Sequence, residues 1–128
     1  MSDVKLNFAI TCDYAIADAN GKVSLIGIFS RINAEGVPTV HSNFYLVVNT
    51  YGRPGEYVEK VEFINLNDSA VIASAEKAME IKPKGKNTFI YNFVNLIFPE
   101  YGKYWFKISV GETVLTSADV HHVAVEKA

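Results

Sequence analysis

The chain has 128 residues, a formal net charge of −2 and 49% hydrophobic residues, including 8 Phe, 7 Tyr and 1 Trp. This length suits one domain with its own core, so we expect a single domain over residues 1–128. The hydrophobic content excludes a disordered chain, and the small net charge argues against binding to nucleic acid or to an anionic membrane. The many aromatic residues favour pleated strands over helices.

Cysteine content and the N-terminal sequence bear on the cellular compartment. Cys12 is the single cysteine, so no intrachain disulfide can form. The first residues lack the basic and apolar segments of a signal peptide, and no apolar run approaches the ~18 residues of a membrane span. These features predict a cytoplasmic protein, and no sequence motif implies a cofactor.

The first half of the chain contains three predicted strands. Two of them run from about Lys5 to Ala17 and from about Val23 to Ile32, on either side of Asn20-Gly21. This dipeptide is typical of a hairpin turn because both residues tolerate positive φ. The second strand is apolar on both faces, so we expect it inside a sheet or covered on both sides. The third runs from about Asn43 to Tyr51.

Two further segments follow in the middle of the chain. In a strand from about Tyr57 to Leu66, the apolar positions change face after Phe63, which predicts a β-bulge. The segment from Ala70 to Ile81 fits a strand by alternation, with Lys77 as the exception, whereas its alanines favour a helix. We expect a strand because the neighbouring segments are all strands.

The last third of the chain gives the clearest architectural signal. A strand from Thr88 to Phe98 precedes Pro99 and Gly102, which mark a turn. The turn is followed by apolar residues at every second position from Tyr104 to Val110, which predicts a strand with one face in the core. A glycine two residues before such a tyrosine is typical of the tyrosine corner in immunoglobulin-like sandwiches.

A two-residue turn at Gly111-Glu112 leads into the last predicted strand, from Thr113 to about Val125. Eight strands joined by short turns predict an all-β fold. The expected architecture is an antiparallel β-sandwich of immunoglobulin-like type, without a disulfide.

Several short motifs carry a family resemblance. They are Cys12-Asp13-Tyr14, Asn20-Gly21-Lys22, Leu25-Ile26-Gly27-Ile28-Phe29, Pro38 with His41, and Gly102-Lys103-Tyr104-Trp105-Phe106. With them the chain, from about Phe8 to Val125, resembles a family of small uncharacterised bacterial proteins. The resemblance implies a bacterial all-β protein and supplies no catalytic residues. Immunoglobulin domains carry a disulfide cysteine where Phe106 stands, so the likeness to them concerns architecture alone.

Residues able to do chemistry are few. Cys12 could form a nucleophile–base pair with His41, His121 or His122. However, Cys12 lies in an apolar strand, where a free cysteine usually behaves as a small buried hydrophobe. Adjacent histidines in a strand point to opposite faces, which argues against a shared zinc ion. We therefore predict no catalytic residues and no metal site.

A calcium site is the remaining metal alternative. Asp18-Ala19-Asn20-Gly21 is similar to part of a calcium-binding loop, but Phe29 stands where the loop would need a glutamate. Turn formation explains these residues more simply. An alternative is that Asp13, Asp18, Asp68 and Asp119 meet at one end of the fold and bind calcium.

One set of residues forms a candidate contact surface. Alternation turns Trp105 away from the core, beside Lys103 and Lys107, and it places Tyr45 and Tyr51 on a possible outer face. The lysine stems could equally cover the indole ring. We expect a non-catalytic interaction module that forms a homo-oligomer or binds a protein partner. A carbohydrate-binding or small-ligand-binding sandwich is the alternative, and a hydrolase or metal enzyme ranks third.

Overall fold

The computed structural model describes residues 3–116 and 121–128. These residues form strands and no helix, which confirms the predicted all-β class, and none of them belongs to a helix long and apolar enough to cross a membrane. The strands are β1 (Val4–Ala17), β2 (Val23–Ile28), β3 (Arg31–Ala34), β4 (Thr39–Gly52), β5 (Gly55–Asn65), β6 (Val71–Ile81), β7 (Lys86–Phe98), β8 (Gly102–Val110), β9 (Thr113–Val114) and β10 (His122–Lys127).

The strands form two sheets. In the four-stranded sheet the order is β2-β1-β4-β7, and all neighbours are antiparallel. The six-stranded sheet has the order β3-β10-β8-β5-β6, with β9 beside β8. Strands β3 and β10 run parallel, so the prediction of a wholly antiparallel arrangement is wrong at this pair. A parallel pair arises here because β3 reaches its sheet through a short turn from β2, which belongs to the other sheet.

The facing sides of the two sheets share one hydrophobic core. Alternate residues of β4, among them Phe44, Leu46 and Val48, point into it from the four-stranded sheet. The ring of Phe44 lies 5.1 Å from that of Phe63 in β5, in an edge-to-face arrangement that joins the sheets. Edge-to-face packing of this kind stabilises the contact between the two sheets.

The predicted hairpin between β1 and β2 is confirmed. Gly21 has φ +82°, as its turn position requires. The Asp18 carboxylate accepts hydrogen bonds from the backbone N–H groups of Asn20 (2.8 Å) and Lys22 (3.0 Å). Asp18 therefore stabilises the turn, in agreement with the interpretation of residues 18–21 as a turn.

The prediction for the second strand is wrong in extent and in burial. The chain leaves β2 after Ile28 and forms the separate strand β3 in the other sheet. Strand β2 is an edge strand, and the side chains of Ile26 and Ile28 are 60% and 66% exposed. The break lies at residues 29 and 30, because Phe29 turns inward and packs against the core.

Several finer predictions are confirmed. The register of β5 shifts between Phe63 and Ile64, where the bulge was expected, and the ambiguous segment is the strand β6. The Tyr104 hydroxyl donates to the carbonyl oxygen of Glu100 (2.7 Å) and accepts from its N–H (3.0 Å), the hydrogen bonds of a tyrosine corner. The predicted last strand is two strands, β9 and β10, and its residues 117–120 lie outside the described part of the chain.

Candidate functional site

The outer face of the four-stranded sheet carries a second apolar cluster. Val47 lies between two core-facing residues of β4, so its side chain points away from the core, and yet it is fully buried. It packs with Cys12 and Ala15. Partly buried apolar side chains surround these three: Phe8, Val23, Leu25, Tyr45 and Ile90. We call these eight residues the outer cluster.

A row of polar side chains crosses the same face beside the outer cluster. The Asn7 amide donates to Oδ1 of Asn49 (3.0 Å), and the Asn49 amide donates to the Thr88 hydroxyl (2.7 Å). This row joins β1, β4 and β7, and it stabilises the pairing of the three strands. Polar groups that would otherwise face solvent are satisfied within the sheet.

Aromatic and aliphatic side chains extend the face beyond the outer cluster. The rings of Tyr14 and Tyr45 lie 5.4 Å apart, and Ile28 is the cross-strand partner of Cys12 in the exposed edge strand β2. Charged residues occur at the opposite end of the face, where Lys5 and Lys86 flank Tyr51 on both sides. The centre of this surface is therefore apolar and uncharged, and its lysines lie at one end.

The outer face of the six-stranded sheet has the opposite character. Lys107 lies opposite Glu62, and the side chains of Lys60 and Glu62 form a 4.0 Å ion pair. Trp105 is half-buried on this face, between Ile64 and His122. Charged side chains on the outer side of an antiparallel sheet are typical of a solvated surface.

The predicted contact residues lie on two different sheets. Tyr45 and Tyr51 belong to the apolar face, whereas Trp105, Lys103 and Lys107 belong to the charged face. The Lys107 ammonium lies 5.8 Å from the centre of the indole ring, and Nε1 of Trp105 is buried without a hydrogen-bond partner among the described residues. The structure therefore does not combine these five residues into one surface.

A buried polar group joins the sheets inside the core. Glu59 of β5 is fully buried, and its Oε2 accepts a hydrogen bond of 2.6 Å from the Tyr91 hydroxyl of β7. Burial raises the pKa of Glu59, although the Tyr91 hydrogen bond and the charge of Lys77 oppose this shift. Burial and the neighbouring Glu59 carboxylate raise the pKa of Tyr91. The pair thus favours a neutral Tyr91 that donates to Glu59.

Lys77 lies beside this pair at the edge of the six-stranded sheet. It is the cross-strand partner of Glu59, and its ammonium lies 4.7 Å from the centre of the Tyr91 ring. The same ammonium donates a hydrogen bond of 3.0 Å to the carbonyl oxygen of Ile90. Lys77 interrupts the apolar alternation of β6, and this interruption was the one sequence signal for the group. Nothing in the sequence pointed to Glu59 or Tyr91.

A cleft opens next to Lys77, between the edge strands β6 and β7. Its volume is about 590 Å³, and it is lined by residues 72–75 and Lys77 of β6 and by residues 91–97 of β7. Phe93 and Leu96 form part of its floor and also pack in the core. A cleft of this size is within the range of ligand pockets.

The chemical candidates of the sequence do not form a site. Cys12 is buried, its thiol donates to the carbonyl oxygen of Tyr14 (3.4 Å), and burial raises the pKa of this thiol, which disfavours a nucleophilic thiolate. Burial lowers the pKa of both His41 and His121. His121 packs against the Phe106 ring, with 5.8 Å between the ring centres.

Within the described ranges, no three His, Cys, Asp or Glu residues are grouped so that they could hold a metal ion. Of the four aspartates considered for calcium, Asp119 lies outside the described residues. The candidate functional surfaces are therefore the apolar outer face and the cleft between the edge strands.

Comparison with known proteins gives a family and no curated relative. A search of curated proteins found no match. A family of unknown function, DUF6941, matches residues 7–122, which is most of the chain and includes the residues of the outer cluster, of the buried polar group and of the cleft. The chain therefore belongs to the DUF6941 family of unknown function.

Proposed function

We propose that the chain is a non-catalytic, cytoplasmic interaction module of bacterial origin, built as an immunoglobulin-like β-sandwich. It self-associates through the apolar outer face of its four-stranded sheet. The observation that carries this proposal is the exposed apolar edge of the outer cluster, where Tyr14, Ile26 and Ile28 are 43%, 60% and 66% exposed, because a solvated sheet face normally carries polar residues. The tyrosine corner at Tyr104 supports the sandwich, and the free, buried thiol of Cys12 fits a reducing compartment.

The distribution of charged residues on this face is compatible with the binding of a second copy of the chain. In a two-fold dimer the same surface meets itself, so charged groups at its centre would repel one another. The outer cluster carries no charge, and Lys5 and Lys86 lie at one end, where they form a rim. An apolar centre with a polar rim is the usual anatomy of a protein interface.

The area of the face is close to that of a stable interface. The strands β1, β2, β4 and β7 have 14, 6, 14 and 13 residues, and a spacing of ~4.8 Å with a rise of ~3.3 Å per residue gives the sheet face about 740 Å². A stable interface needs about 800 Å² from each partner. A dimer through this face would therefore use almost all of it.

Light scattering after size exclusion, over a wide concentration range, tests the proposal. We expect a dimer for the wild type and a monomer for Tyr45→Lys, because the new ammonium would be desolvated at the apolar centre. Val58→Lys is the matched control, since Val58 is an exposed apolar residue of β5 in the other sheet. A wild type that stays monomeric, or a Tyr45→Lys variant that stays dimeric, contradicts self-association through this face.

Binding of a carbohydrate or another small ligand at Trp105 is the alternative function. It is supported by the position of the half-buried indole ring on the outer face of β8. Tryptophan fluorescence during a glycan screen tests it, because Trp105 is the only tryptophan of the chain. A flat response throughout the screen would count against this alternative.

A further inference from the structure

The cleft between β6 and β7 exposes backbone that pairs with no other described strand. Both strands are the outermost members of their sheets. An edge strand presents unpaired N–H and C=O groups, which can pair with an added strand. The cleft side of β7 is therefore a possible docking site for extended polypeptide.

The Lys77 hydrogen bond shows which groups of β7 point into the cleft. Because the ammonium of Lys77 donates to the carbonyl oxygen of Ile90, this carbonyl points away from β4. In an antiparallel pair the backbone direction alternates, so Asn92 and Val94 turn their N–H and C=O groups to the same side as Ile90. Asn95 has φ +53°, which interrupts the regular edge. The regular free edge thus covers residues 91–94.

Space for a strand is provided by small side chains. Ala73, Ser74 and Ala75 of β6 line the cleft opposite β7. Phe93 and Leu96 offer apolar contacts on its floor. A strand entering here can pair with β7 through its backbone and place alternate apolar side chains on this floor.

Charge sets the direction of such a strand. Lys77 closes the cleft near Ile90, at the N-terminal side of the free edge. A strand that runs antiparallel to β7 ends at Lys77, whereas a parallel strand begins there. A terminal carboxylate is attracted by the Lys77 ammonium, and a terminal amine is repelled.

We propose that the cleft binds the C-terminal tail of a partner protein as an added strand antiparallel to β7. The tail carries apolar residues at alternate positions, and its terminal carboxylate faces Lys77. Strand β10 of a second copy does not fit this description, because it is already paired with both β3 and β8. This peptide function is independent of self-association through the outer face.

An array of hexapeptides tests the proposal. The peptides carry Val, Leu or Ile at alternate positions, and each is made with a free C-terminus and as the C-terminal amide. We expect fluorescence anisotropy to show binding of a subset, with the free acids at least ~10-fold tighter than the amides. In ¹⁵N-correlated NMR spectra, the amides of Asn92 and Val94 should shift on binding. An array without binders, or free acids and amides that bind alike, overturns the proposal.

Substitutions separate a role in binding from a role in folding. Lys77→Met should abolish the preference for the free acid, and Glu59→Gln with Lys77→Met should do the same without leaving a buried carboxylate unpaired. Lys107→Met is the matched control, because it removes one lysine from the outer face of the same six-stranded sheet, away from the cleft. A free-acid preference that survives in the double variant contradicts the role of Lys77.

Removal of one backbone donor tests the pairing itself. Val94→Pro deletes an N–H that should point into the cleft and not toward β4, so the variant should fold and bind peptides more weakly. Loss of folding in this variant would show that the N–H pairs with β4, and it would overturn the assignment of the edge. The monomeric Tyr45→Lys variant should bind peptides as the wild type does, which keeps this test separate from that of the dimer.

Discussion

The hydroxyl of Tyr91 in β7 donates a hydrogen bond of 2.6 Å to the buried carboxylate of Glu59 in β5, and this bond joins the two sheets through the core. Lys77 completes the group from β6, with its ammonium over the Tyr91 ring. The other carboxylate oxygen, Oε1, is buried without a hydrogen-bond partner among the described residues, so the Tyr91 hydrogen bond and the nearby charge of Lys77 provide the compensation that a buried carboxylate needs. The group therefore couples the core to the cleft, which is lined by Lys77 and Tyr91.

Replacing Tyr91 should reveal the strength of this bond. Tyr91→Phe leaves Oε2 of Glu59 without its donor, so we expect the free energy of unfolding at neutral pH to fall by about 1–3 kcal/mol. Urea denaturation measures the change. Tyr51→Phe is the control, since the Tyr51 side chain is 40% exposed and should lose little. Equal stability of the two variants would argue against the inter-sheet bond.

Stability should depend on pH through Glu59. Burial raises its pKa in the folded state, so its contribution is complete below the unfolded pKa of about 4.3 and is lost as the pH rises through the folded value. The Gln side chain of the Glu59→Gln variant does not titrate. We therefore expect the free energy of unfolding of the variant to rise relative to that of the wild type between acidic and neutral pH. The gain is about 1.4 kcal/mol for each unit of pKa shift. Parallel stability curves would contradict a raised pKa.

The tyrosine corner should contribute measurably to stability. Tyr104→Phe removes two hydrogen bonds between the hydroxyl and the backbone of Glu100, and we expect a loss of about 1–2 kcal/mol in the free energy of unfolding. Thermal or urea denaturation measures it. Tyr14→Phe serves as a control because the Tyr14 side chain is 43% exposed. A stability change no larger than that of the control would remove the corner as a stabilising element.

Gly27 should resist substitution for two separable reasons. It has φ +70°, and a Cβ at this position would clash with Oδ2 of Asp13. Gly27→Ala should therefore destabilise the protein by the cost of positive φ, about 1–2 kcal/mol, and by this clash as well. Adding Asp13→Ala should relieve the clash and leave the backbone cost. An additive double-mutant cycle would show that Asp13 does not crowd Gly27.

Local patterns determined most of the strands of this protein, but not the division between β2 and β3 or between β9 and β10. Alternation of apolar residues predicted β6 and β8, the content of Phe, Ile, Tyr and Val predicted β7, and the change of face after Phe63 located the bulge of β5. The turn at Asn20-Gly21 and the corner at Tyr104 were also predicted, because each depends on residues close in sequence. Short-range backbone and side-chain preferences are sufficient for such features.

Only the tertiary structure decided which faces are covered and which residues meet. Alternation turned both Trp105 and Tyr45 outward, but it could not show that they lie on different sheets with opposite surface character. Glu59 and Tyr91 are 32 residues apart, and Lys77 lies between them in sequence. Their contact depends on the packing of one sheet against the other, which the period of a single strand does not encode. The sequence by itself therefore determined an all-β chain with its turns, whereas the packing of the sheets decided its surfaces, its buried polar group and its cleft.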